Sequence, residues 1–320
     1  MIVAEGLTKQ FRAFTAIANV SFEVGRGEIV GFLGPNGAGK STTMRILAGV
    51  FPPTRGRAAV AGYDVVGEAQ RARSVVGYFP ERISLYTDIA VRDYLRYVAD
   101  MKGVARADAQ RQLPELLATC GLAHMQHRLI GTLSKGYRQR VGIAQALVGS
   151  PRVLILDEPT SGLDPEQVAE LRTLIRSLRG DRTVILSTHI LPEVEATCDR
   201  VIIINKGRVL AVDTPFNLNQ RLRRTSQIYV EVVGPAAAVY ERLRSIEGVL
   251  DIGNAPHAAH LDGAAALIVS TERDRDLRTA IAAAVTGGGW GLREIRPVAL
   301  TLEEIFLTMV ADGGHASPER

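Results

Sequence analysis

Short apolar runs alternate with stretches of helical periodicity through the first two thirds of the chain. Residues 28–33, 153–156 and 184–186 form mostly apolar runs, which are typical of strands buried on both faces of a parallel sheet. Residues 41–50 and 165–178 are predicted to be helices that follow the first two of these strands. Strands that alternate with helices in this way predict an α/β fold with a parallel sheet.

A helical insert interrupts this alternation at about residues 88–150. Apolar residues recur with helical spacing from Val91 onward, and the helical pattern is predicted to continue to Cys120, before Gly121. A further helix is predicted at residues 135–148. The insert belongs to a first predicted domain that spans residues 1–220.

The charge balance and the pattern both change after residue 220. Elements are predicted there in the order β-α-β-β-α-β, between residues 228 and 295, which is the order of a ferredoxin-like split unit. A last helix is predicted at residues 302–310, where Thr301 and Glu304 have the spacing of a capping box. We therefore expect a small α+β (ferredoxin-like) accessory domain at residues 225–310.

Composition indicates a soluble globular chain. Hydrophobic residues make up 46% and charged residues 22% of the 320 residues, and no apolar run is long enough to span a membrane. The N-terminus has no secretory signal pattern, and two cysteines form no disulfide framework, so we expect a cytosolic chain. The net charge of +4 is scattered without interleaved aromatic residues, so no nucleic-acid partner is expected.

Residues 34–41, GPNGAGKS, fit the phosphate-binding pattern G-x-x-x-x-G-K-[S/T] between a predicted strand and a predicted helix. Backbone N–H groups of such a loop point at a polyanion, and the following helix adds the positive end of its dipole. The contacting positions are Asn36, Gly37, Ala38 and Gly39, followed by Lys40 and Ser41. Lys40 is predicted to reach the β- and γ-phosphates and the Ser41 hydroxyl to bind Mg²⁺. The loop therefore predicts binding of a nucleoside triphosphate.

Two carboxylates follow the apolar run 153–156. Asp157 is predicted to help hold Mg²⁺, and Glu158 to orient and deprotonate the attacking water. The alternative is a pair of solvated acids at the end of a strand. His189 lies just past the run 184–186 and is predicted to contact the γ-phosphate, although an isolated histidine is more often structural.

Cys120, His124 and His127 have the spacing of metal ligands on one face of a helix. Gly121 falls between them and interrupts the helix that would bring them together. No metal site is therefore predicted in this segment.

The order and spacing of these motifs resemble those of ABC ATPases, the nucleotide-binding subunits of ABC transporters. The resemblance covers about residues 1–220 and rests on the phosphate loop, on LSKGYRQR at 133–140, on DEPT and SGLD at 157–164, and on His189. It implies an ATPase in which Phe11 stacks on adenine and Thr42 completes the Walker A loop. It also implies that Ser134 and Gly136 form the signature motif and that Asp164 lies in the D-loop.

The resemblance further implies that ATP joins two copies of the chain. Signature residues of the family bind the γ-phosphate held by the opposite subunit, so one chain carries two incomplete half-sites. Ser134 also fits the N-cap of a helix, which is compatible with that role. Glu81 occupies the Q-loop position, where glutamine is commoner, and is expected to contact Mg²⁺ or the water.

The run 77–81 with Leu85 and Tyr86 resembles a bacterial subgroup that pairs with ABC-2-type export permeases, including drug-resistance and gliding-motility ATPases. This resemblance implies a subunit at the cytoplasmic face of the membrane that energises a separate permease for export. In the family, the loop around Glu81 and the helical insert receive the permease. A soluble ABC-type ATPase acting on ribosomes or DNA and an import ATPase remain alternatives.

Overall fold

The computed structural model describes residues 1–222, 226–255, 264–272 and 275–298. The chain divides into two compact units, the first from Met1 to Pro215 and the second beginning at Phe216. The boundary lies close to the change of pattern predicted at residue 220. The helix predicted at residues 302–310 lies outside the described residues.

A six-stranded sheet forms the centre of the first unit. Its strands, in chain order, are β3 (Ile29–Leu33), β6 (Val76–Phe79), β7 (Val153–Asp157), β8 (Thr183–Thr188), β9 (Arg200–Asn205) and β10 (Arg208–Asp213). They lie in the order β10-β9-β3-β8-β7-β6, and all neighbours are parallel except the β9–β10 hairpin. The predicted parallel α/β sheet is confirmed.

Alternate residues of these strands enter two separate hydrophobic cores. Leu154 and Leu156 belong to the core that they share with the helical insert. Val153 and Ile155 belong to the core that they share with a second sheet. Side chains of a strand point alternately to opposite faces, so a sheet covered on both sides needs apolar residues at every position. This requirement explains why the strand runs lack polar residues until they reach the sheet edge.

The second sheet of this unit is antiparallel and covers one face. Its strands are β1 (Ile2–Phe11), β2 (Phe14–Val24), β4 (Arg55–Val60) and β5 (Tyr63–Asp64), in the order β2-β1-β4-β5. Helix α1 (Lys40–Leu47) contributes Met44, Ile46 and Leu47 to the core that these strands share with the central sheet. A short helix, α2 (Ala69–Ser74), precedes β6.

The helical insert contains α3 (Val91–Met101), α4 (Arg106–Thr119) and α5 (Lys135–Leu147). The prediction of one helical segment from Val91 to Cys120 is wrong in one respect, because the chain turns at Gly103, which has a φ of 71°. The remaining helices of this unit are α6 (Pro165–Ser177) and α7 (Leu191–Thr197), and α8 (Pro215–Leu222) begins at the unit boundary. None of the helices in the described ranges has the length and apolar composition that crossing a bilayer requires.

The second unit contains an antiparallel sheet with two helices. Its elements are β11 (Ser226–Val233), α9 (Ala236–Arg244), β12 (Val249–Asn254), β13 (Ala264–Thr271), α10 (Arg278–Gly287) and β14 (Gly291–Val298). The strands lie in the order β12-β13-β11-β14. The two helices pack on one core with the sheet, through Val239 and Leu243 of α9 and Ile281 and Val285 of α10.

Candidate active site

Four parallel strands bring the predicted site residues to one edge of the central sheet. In register, Leu33 of β3 lies beside Thr188 of β8, Ser187 beside Asp157 of β7, and Leu156 beside Phe79 of β6. The chain segments that follow these strand ends carry the phosphate loop, the histidine, the paired carboxylates and the Glu81 loop. Ligands of open α/β sheets bind at this edge, beyond the carboxyl ends of the strands.

Glycines shape the phosphate loop at the positions where backbone packs closely. A Cβ at Gly34 would lie 2.3 Å from a carbonyl oxygen of β9, and one at Gly39 would lie 2.5 Å from a methyl carbon of β2. Gly39 also has a φ of 105°, which L-residues rarely adopt. Asn36 and Gly37 are exposed at the tip of the loop, whereas Ala38 is buried. The loop is therefore closed on the protein side and open at its tip, as a phosphate cradle requires.

Lys40 lies in the loop with its ammonium group buried. Its Nζ donates to the Gly34 carbonyl at 2.9 Å and forms an ion pair with Glu158 Oε1 at 3.2 Å. The other oxygen of Glu158 lies 3.3 Å from His189 Nδ1. The structure thus brings together the three residues predicted to be catalytic, although they lie far apart along the chain.

Asp157 is buried beneath this cluster and accepts two hydrogen bonds on one oxygen. Ser41 Oγ donates to Asp157 Oδ1 at 3.0 Å and Ser187 Oγ donates to it at 2.6 Å. Burial raises the pKa of Asp157, and the bonds from Ser187 and Ser41 oppose this effect. Thr42 follows Ser41 in the first turn of α1 and is partly buried.

The second oxygen of Asp157, Oδ2, is buried and has no hydrogen-bond partner among the described residues. An unpaired buried carboxylate oxygen is costly, and a divalent cation would satisfy it. Ser41 Oγ, on the same carboxylate, is a second oxygen of the kind that Mg²⁺ prefers. The residues present therefore fit Mg²⁺, which would neutralise phosphate charge during the reaction.

Glu158 adopts a left-handed backbone conformation with a φ of 48°. Its N–H donates to Ser187 Oγ at 2.9 Å and is also within 3.2 Å of the Ser187 carbonyl oxygen. Non-glycine residues with positive φ are uncommon and persist where the surroundings hold them. Ser187 therefore positions both carboxylates, and sequence reasoning missed it. The sequence shows only a serine directly after the apolar run 184–186, two positions before His189, and does not indicate which groups its hydroxyl serves.

Glu81 follows β6 at the same sheet edge and is exposed. Burial is the main cause that raises the pKa values of Asp157 and Tyr78, and the negative charge of Glu81 adds a smaller increase to both, which the Arg45 guanidinium opposes. Glu81 is thus within electrostatic reach of the carboxylate site. A direct contact of Glu81 with Mg²⁺ or the attacking water stays a prediction.

Phe11 lies at the end of β1 with 44% of its surface exposed. Its ring packs edge to face on Phe51, with 5.7 Å between the ring centroids, and the Lys9 ammonium lies near both rings. An exposed aromatic edge is suited to stacking on a base. The adenine contact remains a prediction.

The signature residues lie at the start of α5. Ser134 caps the helix by accepting a hydrogen bond from Tyr137 N at 3.4 Å. Gly136 faces Gln167, since a Cβ there would lie 2.6 Å from Gln167 Oε1. Asp164 caps α6 by accepting from Gln167 N at 2.9 Å, so the starts of α5 and α6 lie together. In the part of the chain that the structure describes, no hydrogen bond or ion pair joins Ser134 or Gly136 to the phosphate loop or the paired carboxylates.

His124, considered above with the rejected metal site, contacts the signature helix instead. Its Nε2 lies 3.1 Å from the Tyr137 hydroxyl, and the two rings pack edge to face. The Cys120 thiol is buried, and burial raises its pKa to about 12. Within the described ranges, no group of three or more His, Cys, Asp or Glu side chains is placed to hold a metal ion.

Comparison with known proteins identifies the family. A family model described as ABC transporter matches residues 17–161. The linearmycin resistance ATP-binding protein LnrL of Bacillus subtilis is 32% identical over 310 residues, which cover 97% of this chain and 98% of that protein. The chain belongs to the ABC transporter ATP-binding proteins. It is therefore an ATP-binding protein and an ATPase with the P-loop fold.

Other similar proteins match a smaller part of this ABC ATPase, between 67% and 72% of the chain. The bacitracin transport ATP-binding protein BcrA of Bacillus licheniformis is 37% identical over 72% of this chain and 74% of that protein. A solved ATP-binding subunit of an ABC transporter is 33% identical, with a TM-score of 0.63 over 69% of this chain and 92% of that chain. The dimeric cassette MJ0796, bound to ADP and Pi, shares the fold at a TM-score of 0.61 and 24% identity over 67% of this chain and 98% of that chain.

Proposed function

We propose that this ABC ATPase energises a separate membrane permease and that the transport is export. The cluster of Lys40, Glu158 and His189 above Asp157 carries the catalytic part of the proposal. The names of relatives support the export part, since they include linearmycin resistance, bacitracin transport and Nod factor export proteins. We infer a member of the drug-export subgroup, paired with an ABC-2-type permease at the cytoplasmic face of the membrane. These names favour transport over an action on ribosomes or DNA.

Each site residue has a proposed role in ATP hydrolysis. Phe11 contacts adenine, and Lys40 with residues 36–39 and Thr42 binds the phosphates. Ser41 and Asp157 would hold Mg²⁺, and Glu81 would contact the ion or the attacking water. Glu158 orients a water whose oxygen attacks the γ-phosphorus, and it takes the proton as the bond to the leaving ADP oxygen breaks. His189, in contact with Glu158, holds the γ-phosphate.

The signature motif is proposed to complete this site on a second copy of the chain. Ser134 and Gly136 form no described contact with the phosphate loop of their own chain, which supports a role in trans. Dimeric structures with the same fold, bound to ADP and Pi in one case, also support it. Two identical half-sites facing head to tail would close around two ATP molecules.

Glu158→Gln tests the proposed site and dimer together. Because the amide cannot accept the proton, the variant should bind ATP without turnover and elute as a dimer with Mg-ATP. The matched variant Ser134→Arg should bind ATP with nearly normal affinity yet neither dimerise nor hydrolyse it. Wild-type turnover by Glu158→Gln would refute the catalytic role, and turnover by monomeric Ser134→Arg would refute the shared site.

We propose that the permease docks beside the Glu81 loop. A groove of about 530 Å³ lies between this loop and α5, lined by Glu81, Leu85 and Arg138 among others. Tyr86 of this loop and Tyr97 of α3 are both exposed, with 5.6 Å between their ring centroids, and Met101 of α3 is 70% exposed. Exposed aromatic and methionine side chains are typical of contact surfaces. Purification from membranes should yield the permease with the wild type, and Tyr97→Glu should abolish its recovery.

We further propose the domain limits 1–220 and 225–310 and a ferredoxin-like accessory domain. The observed order of β-α-β-β-α-β elements and the strand order β12-β13-β11-β14 support that assignment. The match to LnrL over 97% of this chain indicates that the relative has a corresponding segment. The proposed role of this domain is to regulate the ATPase or to brace the dimer, and a role in packing alone is the alternative.

A further inference from the structure

Glu193 is a buried carboxylate that lies behind the active-site residues. It belongs to the first turn of α7 and is 8% exposed. Its Oε2 accepts hydrogen bonds from Thr160 Oγ1 at 2.9 Å and from Thr188 Oγ1 at 3.0 Å. A buried carboxylate destabilises a fold unless hydrogen bonds satisfy it, so both hydroxyls are required by this group.

The two threonines belong to the loops that carry the catalytic candidates. Thr160 comes two residues after Glu158, and Thr188 immediately precedes His189. Thr188 Oγ1 also accepts a hydrogen bond from Ile190 N at 3.0 Å, which ties the chain on both sides of His189. Glu193 is therefore an anchor shared by the loop after β7 and the loop after β8.

The contact between the catalytic candidates needs such an anchor. His189 is 45% exposed, and Glu158 is the sole hydrogen-bonding or ionic partner of its side chain within the described residues. The Glu158 side chain is only 12% exposed, but solvent reaches the imidazole and weakens the contact, which is easily lost when either loop moves. The backbone of the two loops must therefore fix the distance between Glu158 and His189.

A small cavity lies between these loops, α7 and helix α6. Thr160 and Glu193 line it together with Arg172 of α6, and its volume is about 10 Å³. Arg172 Nε is buried there without a hydrogen-bond partner among the described residues. Close packing at this junction transmits a displacement of one element to the others.

We propose that Glu193 is a positioning residue that holds Glu158 and His189 at their working distance. The inference rests on the catalytic roles proposed above for those two residues. Glu193 touches neither of them and acts through Thr160 and Thr188. Within the described ranges, no hydrogen bond or ion pair joins Glu193 to the phosphate loop, so its loss should impair the chemical step and leave ATP binding intact.

Steady-state ATPase assays of the full chain test this inference. Glu193→Ala should lower kcat about 10- to 100-fold, as misplaced catalytic groups do, with KM for ATP within about twofold of wild type. Glu193→Gln keeps an acceptor oxygen for both threonines and should retain most of the activity. Thr160→Val and Thr188→Val preserve shape, remove one hydroxyl each and should give intermediate losses. Glu115→Ala, in an exposed position of α4, is the matched control.

A double-mutant cycle with His189→Ala separates positioning from general destabilisation. If Glu193 acts through the histidine contact, Glu193→Ala should lower the residual kcat of His189→Ala by less than about twofold. An equal fold-loss in both backgrounds, or a normal kcat in Glu193→Ala and both Thr→Val variants, would overturn the inference. If Glu158→Gln is inactive while Glu193→Ala is normal, this inference alone fails. If Glu158→Gln turns over normally, the proposed active site fails as well.

Discussion

Ser187→Ala should destabilise the first unit and weaken Mg²⁺ binding at the proposed site, because one hydroxyl serves both carboxylates. Ser187 is fully buried, and its Oγ donates to Asp157 Oδ1 at 2.6 Å while it accepts from Glu158 N at 2.9 Å. A hydrogen bond to a carboxylate contributes about 1.5–3 kcal/mol, and one between neutral groups contributes about 1 kcal/mol. In the variant, Glu158 N can still donate to the backbone carbonyl oxygen of residue 187 at 3.2 Å. The loss of the hydrogen bond from Glu158 N to the hydroxyl therefore costs less free energy.

The expected decrease in the free energy of unfolding is therefore about 2–3 kcal/mol. Urea unfolding followed by circular dichroism measures it as a lower transition midpoint with an unchanged slope. Asp157 keeps its bond from Ser41 and loses the shorter one, so the carboxylate is held less firmly. The Mg²⁺ concentration that gives half-maximal ATPase activity should consequently rise.

Ser177→Ala is the matched control for this prediction. This variant also loses one hydrogen bond of a hydroxyl, from Ser177 Oγ to the Leu174 carbonyl oxygen at 2.7 Å. That bond lies within one helix and away from the carboxylates. Its unfolding free energy should change by less than about 0.5 kcal/mol. If Ser187→Ala and Ser177→Ala have the same urea midpoint and the same Mg²⁺ dependence, the bonding argument is refuted.

Two further predictions concern the phosphate loop and a buried thiol. Gly39→Val should abolish ATP binding in a filter-binding assay, because its φ of 105° and a β2 methyl carbon 2.5 Å from the new Cβ exclude a side chain. Gly39→Val should also lower the unfolding free energy more than Gly37→Ala, because Gly37 shares a positive φ of 79° but has no atom within 4 Å of its Cβ. Equal losses of unfolding free energy would refute the steric argument. Burial raises the Cys120 pKa from 9.0 to about 12, so the native state binds the thiol proton more tightly above pH 9. Stability should fall as pH rises from 9 toward 12, by at most about 1.4 kcal/mol per pH unit from this thiol, and Cys120→Ala should flatten the fall in pH-dependent urea midpoints. Rapid labelling of native Cys120 by a thiol reagent would contradict the prediction.

The sequence alone predicted the parallel α/β sheet and most of the side chains that the structure brings together at the sheet edge. Short, continuous apolar runs between stretches of helical periodicity mark the buried strands, because a sheet covered on both faces admits no polar residue before its edge. The phosphate loop carries its own local geometry in its glycines, so Lys40 and Ser41 could be assigned from spacing. The paired carboxylates and His189 could be assigned because parallel strands must end at one edge.

Tertiary structure alone decided how these residues are held. Nothing in the local sequence of β8 indicates that Ser187 serves both Asp157 and Glu158, since its partners come from another strand. Glu193 lies in a helix of seven residues, too short to show a periodic pattern, and its partners are two threonines on separate loops. Local spacing determines which groups reach the sheet edge, because strand and loop geometry are local. Long-range packing determines the distances between them, because those depend on strand order and on which buried polar atoms must satisfy one another.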